Sequence, residues 1–177
     1  MKHLQEKALP QADYRSAVQF VVLAGITIFL PFVLHVQLIT GPVINAIFIL
    51  TLFLLGIRSA VIIALIPSLM ALSGGLLPAV LAPVVPFIMI GNIIFIFMID
   101  LLYNRIKNAT IGYWSGVIAG AGLKFAFLFL SVAWIQDLVI KQSVTGQVAQ
   151  MMSWPQFATA VAGGVLAWGT LKGLEKV

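Results

Sequence analysis

The sequence predicts an all-α integral membrane protein: one domain, residues 1–177, folded as a bundle of six transmembrane helices with both termini cytoplasmic. Three observations carry this expectation. Hydrophobic residues make up 62% of the chain and charged residues only 8%, against about 25% charged in a soluble domain, so the surface must face lipid. Mean hydropathy is +1.12, and the apolar runs are long enough to cross a hydrocarbon core ~30 Å thick. The basic residues gather at the ends of those runs.

The first span, 16–39, holds no residue charged at neutral pH. Lys2, Lys7 and Arg15 resemble the flank of a signal peptide. The run behind them is too long for one and lacks a small-x-small cleavage site, so it reads as a retained helix. Thr40-Gly41-Pro42 is expected to form a tight turn, with Pro42 in the first turn of a new helix where its missing N–H is harmless. The second span, 41–57, is short and closed by Arg58.

Residues 59–99 form an uncharged stretch of 41 residues, about twice the length of one crossing. Gly74-Gly75, Pro78, Pro83 and Pro86 interrupt its middle, so it must fold as two spans, 59–73 and 86–104, with an irregular loop between them. The fifth span is 110–135, and a more polar connection, 136–153, leads to the sixth, 154–171.

Six spans bring Lys2, Lys7, Arg15, Arg58, Arg105, Lys107, Lys172 and Lys176 to one side and leave only Lys141 on the other. That asymmetry makes the basic side cytoplasmic, and the expected location is a prokaryotic cytoplasmic membrane crossed several times. Trp114, Trp134 and Trp154 fall at span ends, as interfacial aromatics do.

Composition also excludes chemistry. There is no cysteine, hence no thiol nucleophile, disulfide or Cys-based metal site. His3 and His35 make no metal site, and no cofactor is expected. The net charge of +5 is dispersed over span ends, which argues against a nucleic-acid surface. No HExxH, GxSxG, P-loop or paired carboxylate on one helix is present, so the chain does not read as an enzyme.

One charge lies deep. Lys124 stands in the middle of the fifth span, four residues beyond the stripe Gly112, Gly116, Gly120. An ammonium at bilayer depth costs at least ~2.5–3.5 kcal/mol on insertion scales, so it faces a cavity or a partner. A glycine stripe lets a second backbone approach closely, which turns Lys124 into the bundle. Counting from the basic end, Lys124 lies roughly 20 Å deep and Asn92 roughly 18 Å, whereas Asp100 is only about 6 Å in. Lys124 and Asn92 are therefore expected to share the floor of a pocket, with Gly163 and Gly164 leaving room beside it. Trp134 and Trp154 would wall the mouth, and His35, Thr40 and Asn45 would contribute from the first two helices. The plainer alternative is a lysine satisfied by backbone carbonyls or by snorkelling to the interface. Asp100 is expected to pair with Arg105 or Lys107 at the interface.

The stretch Ile39-Thr40-Gly41-Pro42-Val43-Ile44-Asn45-Ala46, then Leu55-Gly56, in a short chain of six spans with a Gly/Pro-rich outer connection, resembles the substrate-binding S-component of energy-coupling factor transporters. The resemblance implies an S-component-like bundle that captures a vitamin-like or other small nutrient. Its partners would be the lipid bilayer, a small-molecule substrate, a transmembrane T-component and two cytoplasmic ATPases. The Ala-xxx-Ala spacing often found in that family's first helix is replaced here by Ala17/Val21 and Ala24/Ile28, and recurs instead at Ala158 and Ala162. The competing classes are a structural or assembly subunit of a larger membrane complex and a small ion-coupled carrier.

Topology is directly testable. A single cysteine at Gln147 should react with an impermeant thiol reagent in intact cells, and one at Lys107 should not. The opposite pattern would invert the topology.

Overall fold

The computed structural model describes residues 14–34, 36–74, 79–138 and 152–177, and among them it is helical with no strand. The helices are α1 (Tyr14–Val33), α2 (Gln37–Leu55), α3 (Ile57–Ser73), α4 (Val85–Arg105), α5 (Ala109–Leu138) and α6 (Trp154–Gly173). Four segments, Tyr14–Val33, Leu38–Leu55, Ala82–Arg105 and Ala109–Val132, are long and apolar enough to cross a membrane. Helix α3 is apolar but only 17 residues long, and α6 has the length but is diluted by Gln156, Thr159, Thr170 and its glycines. Val21 and Phe29 on α1 are 68% and 67% exposed, surfaces that lipid accommodates and water does not.

The helix ends follow local chemistry. Gly56 alone separates α2 from α3. Its φ of 83° is a left-handed value that glycine adopts without a Cβ clash, and its N–H closes α2 on the Leu52 carbonyl at 3.0 Å. Asn108 starts α5 by accepting the Ile111 N–H on its side-chain oxygen at 3.0 Å. Between α3 and α4 the proline-rich stretch breaks the α-helix as expected. Helix α3 stops at Ser73, a 3-10 turn covers Ala79–Val84, and Pro86 lies in the first turn of α4.

One turn differs from expectation. Thr40, Gly41 and Pro42 belong to α2, and the break falls earlier, around Leu34 and Val36. The reason is Thr40. Its hydroxyl donates to the carbonyls of Leu34 at 2.8 Å and Val36 at 3.0 Å, which satisfies acceptors left open where α1 stops two residues after Pro31.

Two crossings organise the bundle. The broadest contact is between α4 and α5, the next between α2 and α6. At the first, a Cβ on Gly112 would stand 3.2 Å from the Leu102 carbonyl, on Gly116 2.8 Å from Ile99 Cα, and on Gly120 2.9 Å from the Phe95 carbonyl. The glycine stripe is therefore the close-approach face anticipated from sequence. At the second, Gly41 faces Thr159 and Gly163 faces Pro42, Asn45 and Ala46. The space expected beside Gly163 and Gly164 is filled, by α2 and by Val117. Helix α3 bridges α1, α2 and α4, while α1 buries only Thr27 and Pro31 and stays peripheral.

The α4–α5 crossing sets a test. Gly116→Ala would drive a methyl into backbone, which cannot rotate away, and should destabilise by about 1–3 kcal/mol. Gly122 has nothing within 4 Å of its missing Cβ, so Gly122→Ala should be neutral or stabilising by up to ~1 kcal/mol. Thermal melts in detergent compare them; equal melting points would mean that α4 and α5 do not approach as described.

Candidate functional site

Lys124 is 2% exposed. Its Nζ donates to Asn45 Oδ1 at 3.0 Å and stands 5.7 Å from the centroid of the Phe95 ring. The site therefore joins α5, α2 and α4. Among the described residues the ammonium has one hydrogen-bond acceptor and no carboxylate, although it carries three N–H donors.

Each part is fixed by the helix that bears it. Gly120, one turn before Lys124, brings α5 against the Phe95 carbonyl, and this carries the lysine stem past the Phe95 ring. Asn45 is 3% exposed, and its Nδ2 donates to the Gly41 carbonyl of its own helix at 2.9 Å. That bond leaves Oδ1 for the lysine, which can only donate, so the amide orientation follows from both partners. Gly163 packs on Asn45 Cβ from α6 and holds the side chain against α5.

The expected pairing of Lys124 with Asn92 is not the one formed. Asn92 is buried, and its Nδ2 donates to the Ala64 carbonyl of α3 at 3.2 Å. Depth alone points to Asn92; direction around the helix decides otherwise. Gly91, Phe95 and Ile99 recur at four-residue spacing and meet Leu128, Gly120 and Gly116 of α5, whereas Asn92 lies about 100° further round and meets α3.

The remaining candidates divide as follows. Thr40 is buried with its hydroxyl committed to the α1–α2 turn. Trp154, at the start of α6, is 60% exposed. His35 and the side chain of Trp134 lie outside the described residues. Asp100 takes its described hydrogen bond from Asn104 Nδ2 at 3.1 Å and forms no ion pair with Arg105 or Lys107. Asn104 is one turn on and shares its face, whereas Arg105, five residues on, has rotated past it. No group of three His, Asp or Glu side chains able to hold a metal occurs among the described residues.

Sequence reasoning missed an aromatic cluster at the basic end. Tyr113 is fully buried and donates its hydroxyl to the Gly164 carbonyl at 2.7 Å. Its ring meets Phe53, Trp114 and Trp168 at centroid distances of 5.8, 5.3 and 4.6 Å, and Phe53 meets Tyr103 at 4.7 Å. These contacts tie the last turns of α2, α4 and α6 to the first of α5, so Arg58, Arg105, Lys107 and Lys172 share one end of the bundle. Trp114 belongs to this packing and is half-buried.

Comparison with known proteins found no matching family model, no matching curated protein and no matching solved structure.

What the site can do chemically follows from its donors. A buried ammonium with one neutral acceptor can take up a carboxylate or another anion, whose charge offsets the desolvation of both groups. The Lys124–Asn45 bond also sets a stability test. Asn45→Leu removes the acceptor and should cost more than about 2 kcal/mol, because a buried charge loses its partner. Lys124→Met removes the charge and should be far milder, and adding it to Asn45→Leu should recover most of the loss. A double-mutant cycle of unfolding measures this; additive effects would mean that the bond contributes nothing.

Proposed function

We propose that this chain is a six-span protein of a prokaryotic cytoplasmic membrane, both termini cytoplasmic, that captures a small anionic nutrient at Lys124 and Asn45. In this reading it is an S-component-like subunit, which a T-component and two cytoplasmic ATPases energise. The observation that carries it is Lys124: a buried ammonium, held by α2, α4 and α5, with one described hydrogen bond for three donors. Intramembrane charges of this kind are costly, and a transported anion is a partner that would compensate one. The gathering of Arg58, Arg105, Lys107 and Lys172 at one end supports cytoplasmic termini by the positive-inside rule.

A second reading has an observation of its own. The spaces at Gly41, Gly163 and Gly164 are filled by neighbouring helices. That favours a structural subunit of a larger membrane complex in which Lys124 and Asn45 serve only as an interhelical clamp.

One experiment separates the two. Native mass spectrometry of gently extracted protein should detect a small anionic molecule on the wild type and none on a folded Lys124→Met variant. Equal retention by both, or a stable complex with another membrane subunit and no small molecule, would sink the capture reading.

A further inference from the structure

A cleft of about 210 Å³ opens at the basic end of the bundle, lined by Leu52 and Phe53 of α2 and by Asp100, Tyr103 and Asn104 of α4. It is distinct from the Lys124 site, which lies more than two turns deeper along α5. We propose that this cleft binds a primary ammonium group, that of an aminophospholipid headgroup.

The argument begins with Asp100. It is half-buried about a turn and a half before the end of α4. Despite the arginines and lysines at this end, its carboxylate has no cationic partner among the described residues, only the amide of Asn104. A carboxylate held so asks for a cation.

The lining says which one. The Asp100 carboxylate accepts N–H bonds, which a primary ammonium donates and a quaternary one cannot. The edge-to-face pair of Phe53 and Tyr103, at 4.7 Å and 79°, adds aromatic wall, and ring faces attract cations. The volume falls below the ~300 Å³ at which drug-sized sites begin, so a headgroup fits and a large solute does not. Asp100 lies roughly 7 Å along α4 from its end, the level of the membrane surface for a spanning helix. Arg105 and Lys107 follow on the chain at the same end of the bundle, outside the cleft lining.

Delipidated full-length protein in detergent, offered equal amounts of short-chain phosphatidylethanolamine and phosphatidylcholine, tests the proposal by native mass spectrometry. The ethanolamine lipid should be retained about fivefold over the choline lipid, the size of one net hydrogen bond, which only the primary ammonium can donate. Asp100→Asn, which keeps shape but removes the charge and one acceptor oxygen, should greatly reduce the preference, and Phe53→Leu should weaken retention of both lipids. Free ethanolamine in excess should displace the lipid. Equal retention of the two lipids by the wild type, an undiminished preference in a folded Asp100→Asn variant, or unchanged retention by a folded Phe53→Leu variant overturns the proposal. Ethanolamine bound at Asp100 with both lipids retained alike would assign the site to a free amine and overturn the lipid assignment.

Discussion

The approach of α5 to α4 along Gly112, Gly116 and Gly120 is the constraint on which the rest of the bundle depends. With Cβ positions only about 3 Å from the partner backbone, neither helix can rotate or slide without a clash. The register so fixed turns Lys124, next on the stripe, towards the interior and over Phe95. A second glycine crossing, Gly41 and Gly163 between α2 and α6, presses Asn45 in from the other side. The Lys124–Asn45 bond thus bridges two crossings, each of which exists because a side chain is missing.

Magnitudes say how comfortable that lysine is. Insertion scales put its cost at about 2.5–3.5 kcal/mol. A hydrogen bond to a charged group returns about 1.5–3 kcal/mol, and a desolvated cation–π contact up to about 2. These terms come close to cancelling, so the lysine is tolerated without being saturated. A bundle in this state keeps its charge in place with one described hydrogen bond for three donors.

Most of the fold was legible in the sequence because its signals are one-dimensional. Charge-free runs and proline breaks located α3, α4, α5 and α6 with starts and ends within a few residues of those observed. The α1–α2 turn was misplaced because Gly-Pro is a strong local signal, and the competing one, a threonine hydroxyl reaching back six residues to Leu34, depends on a path not yet known. The site was half legible. The lone deep charge identifies Lys124. Depth points to Asn92; that Asn45 takes the bond instead depends on which face of α4 meets α5. Tyr113 left no trace beyond its residue type, since its burial arises from four helices converging.

The two functional readings differ in whether Lys124 must exchange its partner, and the geometry bears on that step. Asn45 holds the Gly41 carbonyl through its own amide nitrogen, a bond independent of the lysine. Were the ammonium to swing to an anion, the asparagine would lose one acceptor contact but keep its orientation and its tie to α2. Phe95, packed on Gly120, would still flank the lysine stem. The exchange therefore leaves a single neutral carbonyl oxygen to be satisfied, a smaller loss than stranding a charge. A clamp gains from this arrangement too, because the Gly41 bond holds Oδ1 towards the lysine. An anion-binding site gains a partner that can let go.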